Sequence, residues 1–284
     1  MADAQVVVAS SPGGRVEWVR RAPTPALPQR GREILQWLLA KASRAAILLV
    51  LVALWELSPR LGLADATFLP PLSEVLVAGW ELARGGQLFD HIGASLARAL
   101  SGFLIAIAYA IPLGLAIGWY RPVSNALRPL IEVLRNTAPL ALLPVFILLL
   151  GIGEVSKVSL VIYSCSWPLL LNTIAAVQQV DPLLVKSART MGATPAQLFR
   201  RVILPASVPT IFVGVRLASA SSMLVLVAAE MIGAKAGLGY LIIYSQYSFQ
   251  IPQMYFGILG ITAIGLVFNH VLERLERHFT SWKS

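Results

Sequence analysis

The chain has 284 residues, of which 57% are hydrophobic and only 13% are charged. About a quarter of the residues of a soluble globular domain are charged, so this composition indicates an integral membrane protein. The net charge of +9 is not accompanied by zinc-ligand spacings or a basic recognition helix, which are typical of nucleic-acid-binding proteins. We therefore expect a lipid bilayer, and no nucleic acid, around this chain.

The first 35 residues are rich in proline, glycine and arginine and show no sustained apolar period. A signal peptide needs a basic start followed at once by an apolar stretch and a small-residue cleavage site, and this pattern is missing. We predict a flexible, basic cytoplasmic tail over residues 1–35 whose arginines contact anionic lipid headgroups.

Six apolar runs are long enough to cross a membrane, because about 20 helical residues span a hydrocarbon core of about 30 Å. The predicted transmembrane helices cover residues 38–57, 93–119, 128–150, 156–178, 207–232 and 254–274. The predicted organisation is a first transmembrane helix within 36–60, an external loop with an amphipathic helix over 61–92, a core of five transmembrane helices over 93–274 and a cytoplasmic C-terminal tail over 275–284. The predicted fold class is an all-α integral membrane protein.

The distribution of basic residues predicts the orientation of these helices. With the N-terminus inside, sixteen of the 23 Lys and Arg residues fall in or beside inner connections, four fall outside and three lie within predicted spans. Cytoplasmic connections carry the excess of basic residues in membrane proteins. We therefore predict that both termini are cytoplasmic.

The longest predicted cytoplasmic connection, residues 179–206, has the pattern of two short helices. Asp181 and Thr194 are suited to cap a helix, and each is followed by a proline at the first helical position. Gly192 stands where the first helix would end in a left-handed residue. The pattern predicts a compact elbow with a sharp turn at Gly192.

The second elbow helix combines apolar and basic side chains. Leu198, Phe199 and Val202 form an apolar patch, and Arg200 and Arg201 lie beside it. An exposed patch of this kind is typical of a docking surface. The same spacing fits a patch that packs beneath the chain's own membrane helices, and the sequence leaves both interpretations open.

The sequence contains no pattern typical of a catalytic, metal or cofactor site. Its three histidines form no HExxH motif, and a GxSxG nucleophile elbow is missing. The segment GIGEVSK, residues 151–157, lacks the second glycine of a phosphate-binding loop. The single cysteine, Cys165, lies inside an apolar run, so no internal disulfide is possible. We expect a protein that is not an enzyme and binds no metal or cofactor itself.

Transport driven by an ion gradient is an alternative function for such a chain. Secondary carriers usually contain an internal repeat and ionisable residues near the membrane midplane, and we find no clear repeat and few charges within the predicted spans. Glu132 and Arg135 are three residues apart and can pair along one face of a helix. A membrane scaffold without transport activity is a further alternative.

The stretch KSARTMGATPAQLFRRVILP, residues 186–205, resembles the cytoplasmic signature of permease subunits of ATP-binding-cassette (ABC) importers. That signature reads Glu-Ala-Ala, three residues, Gly, nine residues, Ile, one residue, Leu-Pro. Ala188 and Gly192 match it, as do the closing leucine and proline. Lys186 replaces the glutamate of the signature, and Ser187 replaces its first alanine.

The resemblance covers nearly everything after residue 50. Segments such as FLPPLSEVL, RPLIEVLRNTAPLALLPVFILLLGIGEVSK and AAEMIGAKAGLGYLI resemble the subfamily that imports nitrate, sulfonates, taurine and related small anions. The resemblance implies a type I ABC importer permease (MetI-like) fold in a bacterial inner membrane. It also implies a small anionic solute as the substrate, with a pyrimidine precursor or an aromatic acid as the alternative.

The same resemblance implies an assembly. Two copies of the permease pair, each docks one cytoplasmic ATPase subunit through the elbow, and an extracytoplasmic binding protein delivers the substrate. ATP and Mg are then used by the partner ATPases, which drive alternating access. Residues 233–255 are expected to form a helix at the outer mouth, as a gate or as part of the binding-protein dock.

Two sets of functional residues follow. The expected ATPase-coupling loop, within residues 181–206, contains Lys186, Ser187, Ala188, Gly192, Leu198, Phe199, Arg200, Leu204 and Pro205. Polar side chains of the third to fifth spans are the candidates for a translocation path, namely Arg135, Asn136, Thr137, Ser164, Asn172, Ser219 and Ser222. Hydroxyl and amide groups suit an anion that passes without tight binding. The alternative for each Ser or Thr is a hydrogen bond across a helix interface or to its own backbone.

Overall fold

The computed structural model describes residues 6–10, 16–20 and 46–279. The chain divides into two compact units, Met1–Leu63 and Ala64–Ser284. Each unit is considered by itself.

The first unit contains two short strands, β1 (Val6–Ser10) and β2 (Val16–Arg20), which pair antiparallel with Val6 opposite Arg20. Both strands are rich in valine, and the sequence SPGG stands between them, a sequence pattern typical of a hairpin. The ten residues of these strands lie within the segment predicted as a flexible tail, residues 1–35. Helix α1 covers residues 46–60 and overlaps the predicted first span, residues 38–57, whose beginning lies outside the described residues.

Helix α2 (Leu72–Arg84) begins after a Pro-Pro pair and ends at a Gly-Gly pair. Its buried residues are spaced for one helical face: Val75, Ala78, Gly79 and Leu82. This face packs against the last helix, where the ring of Phe256 lies over Gly79. A helix with one buried apolar face is thus present within residues 61–92, where an amphipathic helix was predicted.

Helices α3 (Gln87–Trp119) and α6 (Glu154–Gln178) form one side of the core. Glycines allow their backbones to approach closely. A Cβ atom placed at Gly114 would lie 2.7 Å from the Cβ of Thr173, and one at Gly118 would lie 2.8 Å from the Cβ of Val177. Residue numbers rise together along this contact, so α3 and α6 run parallel.

Helix α9 (Leu204–Met231) packs antiparallel against α6. The Ser207 hydroxyl donates to the Ala176 carbonyl at 3.2 Å, and the Cys165 thiol donates to the Ala218 carbonyl at 3.4 Å. Along this contact, residue numbers rise in α9 while they fall in α6. The core is therefore a three-helix bundle of α3, α6 and α9.

The predicted third span, residues 128–150, is not one helix. Helix α4 (Arg121–Asn136) is followed by a 3₁₀ turn (Pro139–Leu142) and by α5 (Leu143–Leu150), and the two parts are bent by 82°. The cause is Pro139, which lacks an N–H and holds the preceding residue, Ala138, in an extended conformation.

The remaining helices are α7 (Pro182–Thr190), α8 (Pro195–Leu198), α10 (Leu238–Tyr247) and α11 (Ile251–Phe279). A π-helical turn, Phe199–Ile203, joins α8 to α9 without a break. Within the described residues, four helices are long and apolar enough to cross a membrane, or five if α4 and α5 together count as one bent span. Six spans were predicted.

Candidate functional site

The elbow predicted between the fourth and fifth spans is built as expected from two capped helices. The Asp181 carboxylate accepts a hydrogen bond from the backbone N–H of Leu183 at 2.8 Å. Thr194 and Gln197 form a reciprocal capping box, with the Thr194 hydroxyl accepting from the Gln197 N–H at 3.3 Å and the Gln197 side chain accepting from the Thr194 N–H at 2.9 Å. Both predicted caps are confirmed.

The turn between α7 and α8 is centred on Gly192, which has a left-handed φ of +79°. Its N–H donates to the Arg189 carbonyl at 3.0 Å, and the N–H of Ala193 donates to the Ala188 carbonyl at 3.1 Å. These two bonds form a Schellman motif, which satisfies the last carbonyls of α7. The predicted glycine turn is confirmed, and residues with a Cβ rarely adopt its backbone conformation.

The apolar patch of the second elbow helix packs inward. Leu198 is 3% exposed and lies in a cluster with Val177, Ala188 and Ile203. The ring of Phe199 meets Trp119 edge to face, with centroids 5.3 Å apart. Of the two interpretations left open, packing beneath the chain's own helices is the one observed, so an exposed Leu198 surface is ruled out.

Other elbow residues form the outer surface. The most exposed apolar side chain at the turn is Met191, at 80%, followed by Leu183 on α7, at 68%. Lys186, Ser187 and Arg200 are also exposed. These side chains, and not Leu198, are available to a partner that binds the elbow.

The π-helical turn has a local cause in the Leu204-Pro205 pair. Pro205 has no N–H for the usual helical bond and its ring crowds the carbonyl four residues earlier. The N–H of Leu204 donates to the Phe199 carbonyl, five residues back, which widens the helix at this point. The elbow thus enters α9 through a widened turn, a feature that often marks functional positions in helices.

The predicted path residues of the third span lie at the end of α4. Arg135 and Asn136 are exposed. The Asn136 amide donates to the Glu132 carbonyl at 2.7 Å, and the Thr137 hydroxyl donates to the Val133 carbonyl at 3.2 Å. Glu132 does not pair with Arg135 as expected. It pairs instead with Arg128, one turn earlier, at 3.5 Å.

The predicted path residues of the fourth and fifth spans are mostly interior to this chain. Ser164, Ser219 and Ser222 are 5%, 3% and 0% exposed. The hydroxyls of Ser219 and Ser222 donate to carbonyls of their own helix, three residues back, at 2.8 and 2.7 Å. Asn172 likewise donates to a carbonyl four residues back, at 2.8 Å. Ser219 and Ser222 therefore make the backbone hydrogen bonds that were given as the alternative, and a translocation path lined by these residues stays a prediction.

An ion cluster that the sequence did not reveal closes the other end of the bundle. At its centre is Glu230 of α9, whose side chain is fully buried. The carboxylate accepts hydrogen bonds from the Ser95 hydroxyl at 2.8 Å, from Arg98 Nη1 at 2.7 Å and from the N–H of Gly239 at 3.0 Å. A buried carboxylate is stabilised by such donors and by a paired cation.

Arg98 connects three parts of the chain. Its side chain is 6% exposed and also donates from Nη1 to the Ala236 carbonyl and from Nη2 to the Glu154 carboxylate, both at 2.7 Å. Ser95 in turn accepts from the N–H of Leu238 at 2.8 Å. The cluster therefore joins α3, the first turn of α6, the end of α9 and the start of α10.

Lys157 reinforces this end of the bundle. It is 3% exposed, and its ammonium group donates to the carbonyls of Gly153 at 3.0 Å and Gly233 at 3.2 Å. These bonds tie the first turn of α6 to the chain that leaves α9. The signal available in the sequence was that Arg98, Glu154, Lys157 and Glu230 all lie near the same ends of predicted spans.

The elbow and the ion cluster lie at opposite ends of the core. Along α3, Arg98 of the cluster and Gly118, which packs against Val177 near the elbow, are 20 residues apart. At 1.5 Å per residue this is about 30 Å, the thickness of a bilayer's hydrocarbon core. The two polar assemblies are therefore spaced to face opposite sides of a membrane.

Comparison with known proteins gives matches over most of the chain. Residues 110–283 match the family described as "Binding-protein-dependent transport system inner membrane component". A probable ABC transporter permease of Brucella abortus is 38% identical over 77% of this chain and 87% of the relative. The putative aliphatic sulfonates transport permease SsuC of Bacillus subtilis is 31% identical over 97% of this chain and 96% of the relative.

Two further comparisons cover the core. The taurine transport system permease TauC of Escherichia coli is 33% identical over 87% of this chain and 92% of the relative. Among solved structures, a chain of the MetNI methionine ABC transporter aligns with a TM-score of 0.59 at 17% identity, covering 68% of this chain and 96% of that chain. This likeness shows the fold, that of a MetI-like permease. The chain belongs to the family of binding-protein-dependent transport system inner membrane components and is a multi-pass protein of the inner membrane.

Proposed function

We propose that the chain is the permease subunit of an ABC importer that moves a small anionic solute into the cell. The observation that carries this proposal is the elbow, a glycine-centred turn built from the residues of the family signature. Relatives named for aliphatic sulfonates and for taurine support a sulfonate-, taurine- or nitrate-like substrate.

We further propose the assembly in which the chain works. Two copies, each with six transmembrane helices and cytoplasmic termini, pair with two ATPase subunits and one extracytoplasmic binding protein. The elbow then faces the cytoplasm, and the ion cluster faces outward. ATP and Mg are used by the ATPases, because the permease sequence contains no phosphate-binding loop.

One continuous helical run connects the elbow to the ion cluster and suggests how a movement of the elbow reaches the outer side. Pro195–Met231 form one helical run of 37 residues, about 55 Å at 1.5 Å per residue. One end is the second half of the elbow, and the other end carries Glu230 in the ion cluster. A movement of the elbow imposed by an ATPase is therefore transmitted along α9 to the cluster, with flexure at the π-helical turn.

An ion-driven carrier is the alternative that differs most in mechanism. Such a carrier needs a titratable group exposed in turn to both sides of the membrane. The buried carboxylate of Glu230 is instead held by Arg98, Ser95 and a backbone N–H. This arrangement favours the ATP-driven mechanism.

Reconstitution tests the proposed function. The full chain, its cognate ATPase and its binding protein are placed in liposomes, and uptake of taurine, alkanesulfonates and nitrate is compared with that of orotate and benzoate. We expect solute-dependent ATP hydrolysis and uptake that stops when the ATPase is omitted, and sulfonates should give the largest response. Uptake that persists without the ATPase but stops with an uncoupler would establish an ion-driven carrier instead.

A further inference from the structure

A basic pocket lies between the elbow and the ends of three membrane helices. Its volume is about 690 Å³. Helix α7 contributes Pro182, Val185, Lys186 and Arg189, which are spaced for one helical face. The opposite wall includes Arg121 in the first turn of α4. The pocket therefore opens between α7 and the ends of α3, α4 and α6.

The charge of this pocket is uncompensated. Three cationic side chains, Arg121, Lys186 and Arg189, line it, and no aspartate or glutamate does. Among the residues that the structure describes, none of these three cations forms an ion pair. Like charges that share a cavity repel one another unless an anion lies between them.

Neutral hydrogen-bonding groups complete the walls. Ser124 and Asn125 lie one turn after Arg121 on α4, and Gln178 lies at the end of α6. The Gln178 amide donates to the Ser124 hydroxyl at 3.0 Å, which leaves that hydroxyl's own proton free to donate into the pocket. Trp119, at the end of α3, also lines the pocket, a position typical of tryptophan at the membrane interface.

Lys186 is the position at which the elbow departs from the family signature in charge, with lysine in place of glutamate. A glutamate there would place a carboxylate beside Arg121 and Arg189, and the pocket would be closer to neutral. Lysine removes this internal partner and adds a third positive charge. With lysine at this position, the wall offers three positive charges and no carboxylate to an external anion.

We propose that this pocket binds an oxyanion, a phosphate or sulfonate group, between the elbow and the membrane helices. Guanidinium groups bind such groups with two parallel hydrogen bonds, and lysine acts as a point charge beside them. The group can come from an anionic lipid headgroup or from a free solute in the cytoplasm. A bound anion would bridge α7 and α4 and so hold the elbow against the bundle.

Binding to the purified full chain tests this site. The chain is placed in nanodiscs of phosphatidylcholine, and the binding of inorganic phosphate, sulfate and methanesulfonate is measured by calorimetry. Parallel nanodiscs contain phosphatidylglycerol, whose retention is measured by native mass spectrometry. Binding of the free anions would identify a solute site, and retention of phosphatidylglycerol alone would identify a headgroup site; either result supports the pocket.

The decisive variant replaces Arg121, Lys186 and Arg189 by glutamine. We expect it to bind the anion at least about tenfold more weakly, because it removes all charge-assisted hydrogen bonds to the anion. The single variant Lys186→Glu, which restores the residue type of the family signature, should also weaken binding. The unfolding midpoint of each variant, measured without anion and compared with that of the natural chain, shows that the variant is folded.

A matched control removes the same number of charges elsewhere on the exposed surface. The triple variant Arg201→Gln, Arg274→Gln and Arg277→Gln should bind the anion as the natural chain does, since these residues do not line the pocket. If both triple variants lose the same amount of anion affinity, the anion is attracted by the overall charge of the chain, and the proposal is overturned. The proposal is also overturned if the pocket variant binds the anion normally but binds the ATPase more weakly. That result would identify the pocket as a protein-docking surface.

Discussion

Replacing Arg98 by methionine should lower the free energy of unfolding by about 3–5 kcal/mol, the cost of removing one partner from a buried ion pair. Arg98 is 6% exposed and Glu230 is fully buried. The variant leaves the carboxylate inside an apolar bundle with only the Ser95 hydroxyl and the Gly239 N–H as donors. We expect a much lower midpoint in an SDS titration of mixed micelles followed by circular dichroism.

Two further variants separate the buried pair from general effects of losing an arginine. Arg98→Met combined with Glu230→Gln should recover most of the lost stability, because the buried charge leaves with its partner. Arg277→Met is the matched control, since Arg277 is 77% exposed and pairs with Glu273 one turn away; we expect little change. If Arg98→Met and Arg277→Met unfold at the same midpoint, the ion cluster does not stabilise this end of the bundle.

Leucine at position 192 should uncouple ATP hydrolysis from transport. Gly192 has a φ of +79°, and a residue with a Cβ in the left-handed region is disfavoured by about 1–2 kcal/mol. A penalty of this size shifts an equilibrium by about 5- to 30-fold, here away from the observed elbow. A Cβ at Gly192 meets no atom within 4 Å, so the effect arises from the backbone. Uptake per ATP hydrolysed should fall by a factor in that range, while the ATPase still co-purifies.

Asparagine at the same position is the matched control for Gly192→Leu. Asparagine tolerates the left-handed conformation better than other residues with a Cβ, so Gly192→Asn should retain most of the coupling. A Gly192→Leu variant with the natural ratio of uptake to hydrolysis would show that the turn is not needed for coupling. An equal loss in both variants would point to a steric contact with the ATPase in place of a backbone effect.

Features with local causes could be predicted from the sequence. The caps at Asp181 and Thr194 and the turn at Gly192 depend on residues within a few positions of one another, and all three are observed. The amphipathic helix before the core was predicted on the same kind of pattern. The bend between α4 and α5 also has a local cause, because Pro139 lies inside the predicted apolar run of residues 128–150 and the chain direction changes there by 82°.

Features that depend on distant partners could not be predicted in this way. Arg98 and Glu230 are 132 positions apart in the sequence, and each was seen only as a charge near the end of a span. Helical periodicity states which face is apolar but not which helices meet. For the same reason the serines proposed for a translocation path, such as Ser222, proved to be buried between helices of their own chain.

Cross-linking of the elbow to the ATPase tests most directly whether an ATPase acts through this surface. Cys165 is the only cysteine and is fully buried, so a Cys165→Ser background allows single cysteines to be placed at Met191 on the elbow and at Tyr247 at the end of α10. These side chains are 80% and 82% exposed and serve as a matched pair. In membranes that contain the assembled importer, Met191→Cys should cross-link to the ATPase and Tyr247→Cys should not. Cross-linking from Tyr247→Cys alone would contradict the proposed coupling surface and the orientation of the chain.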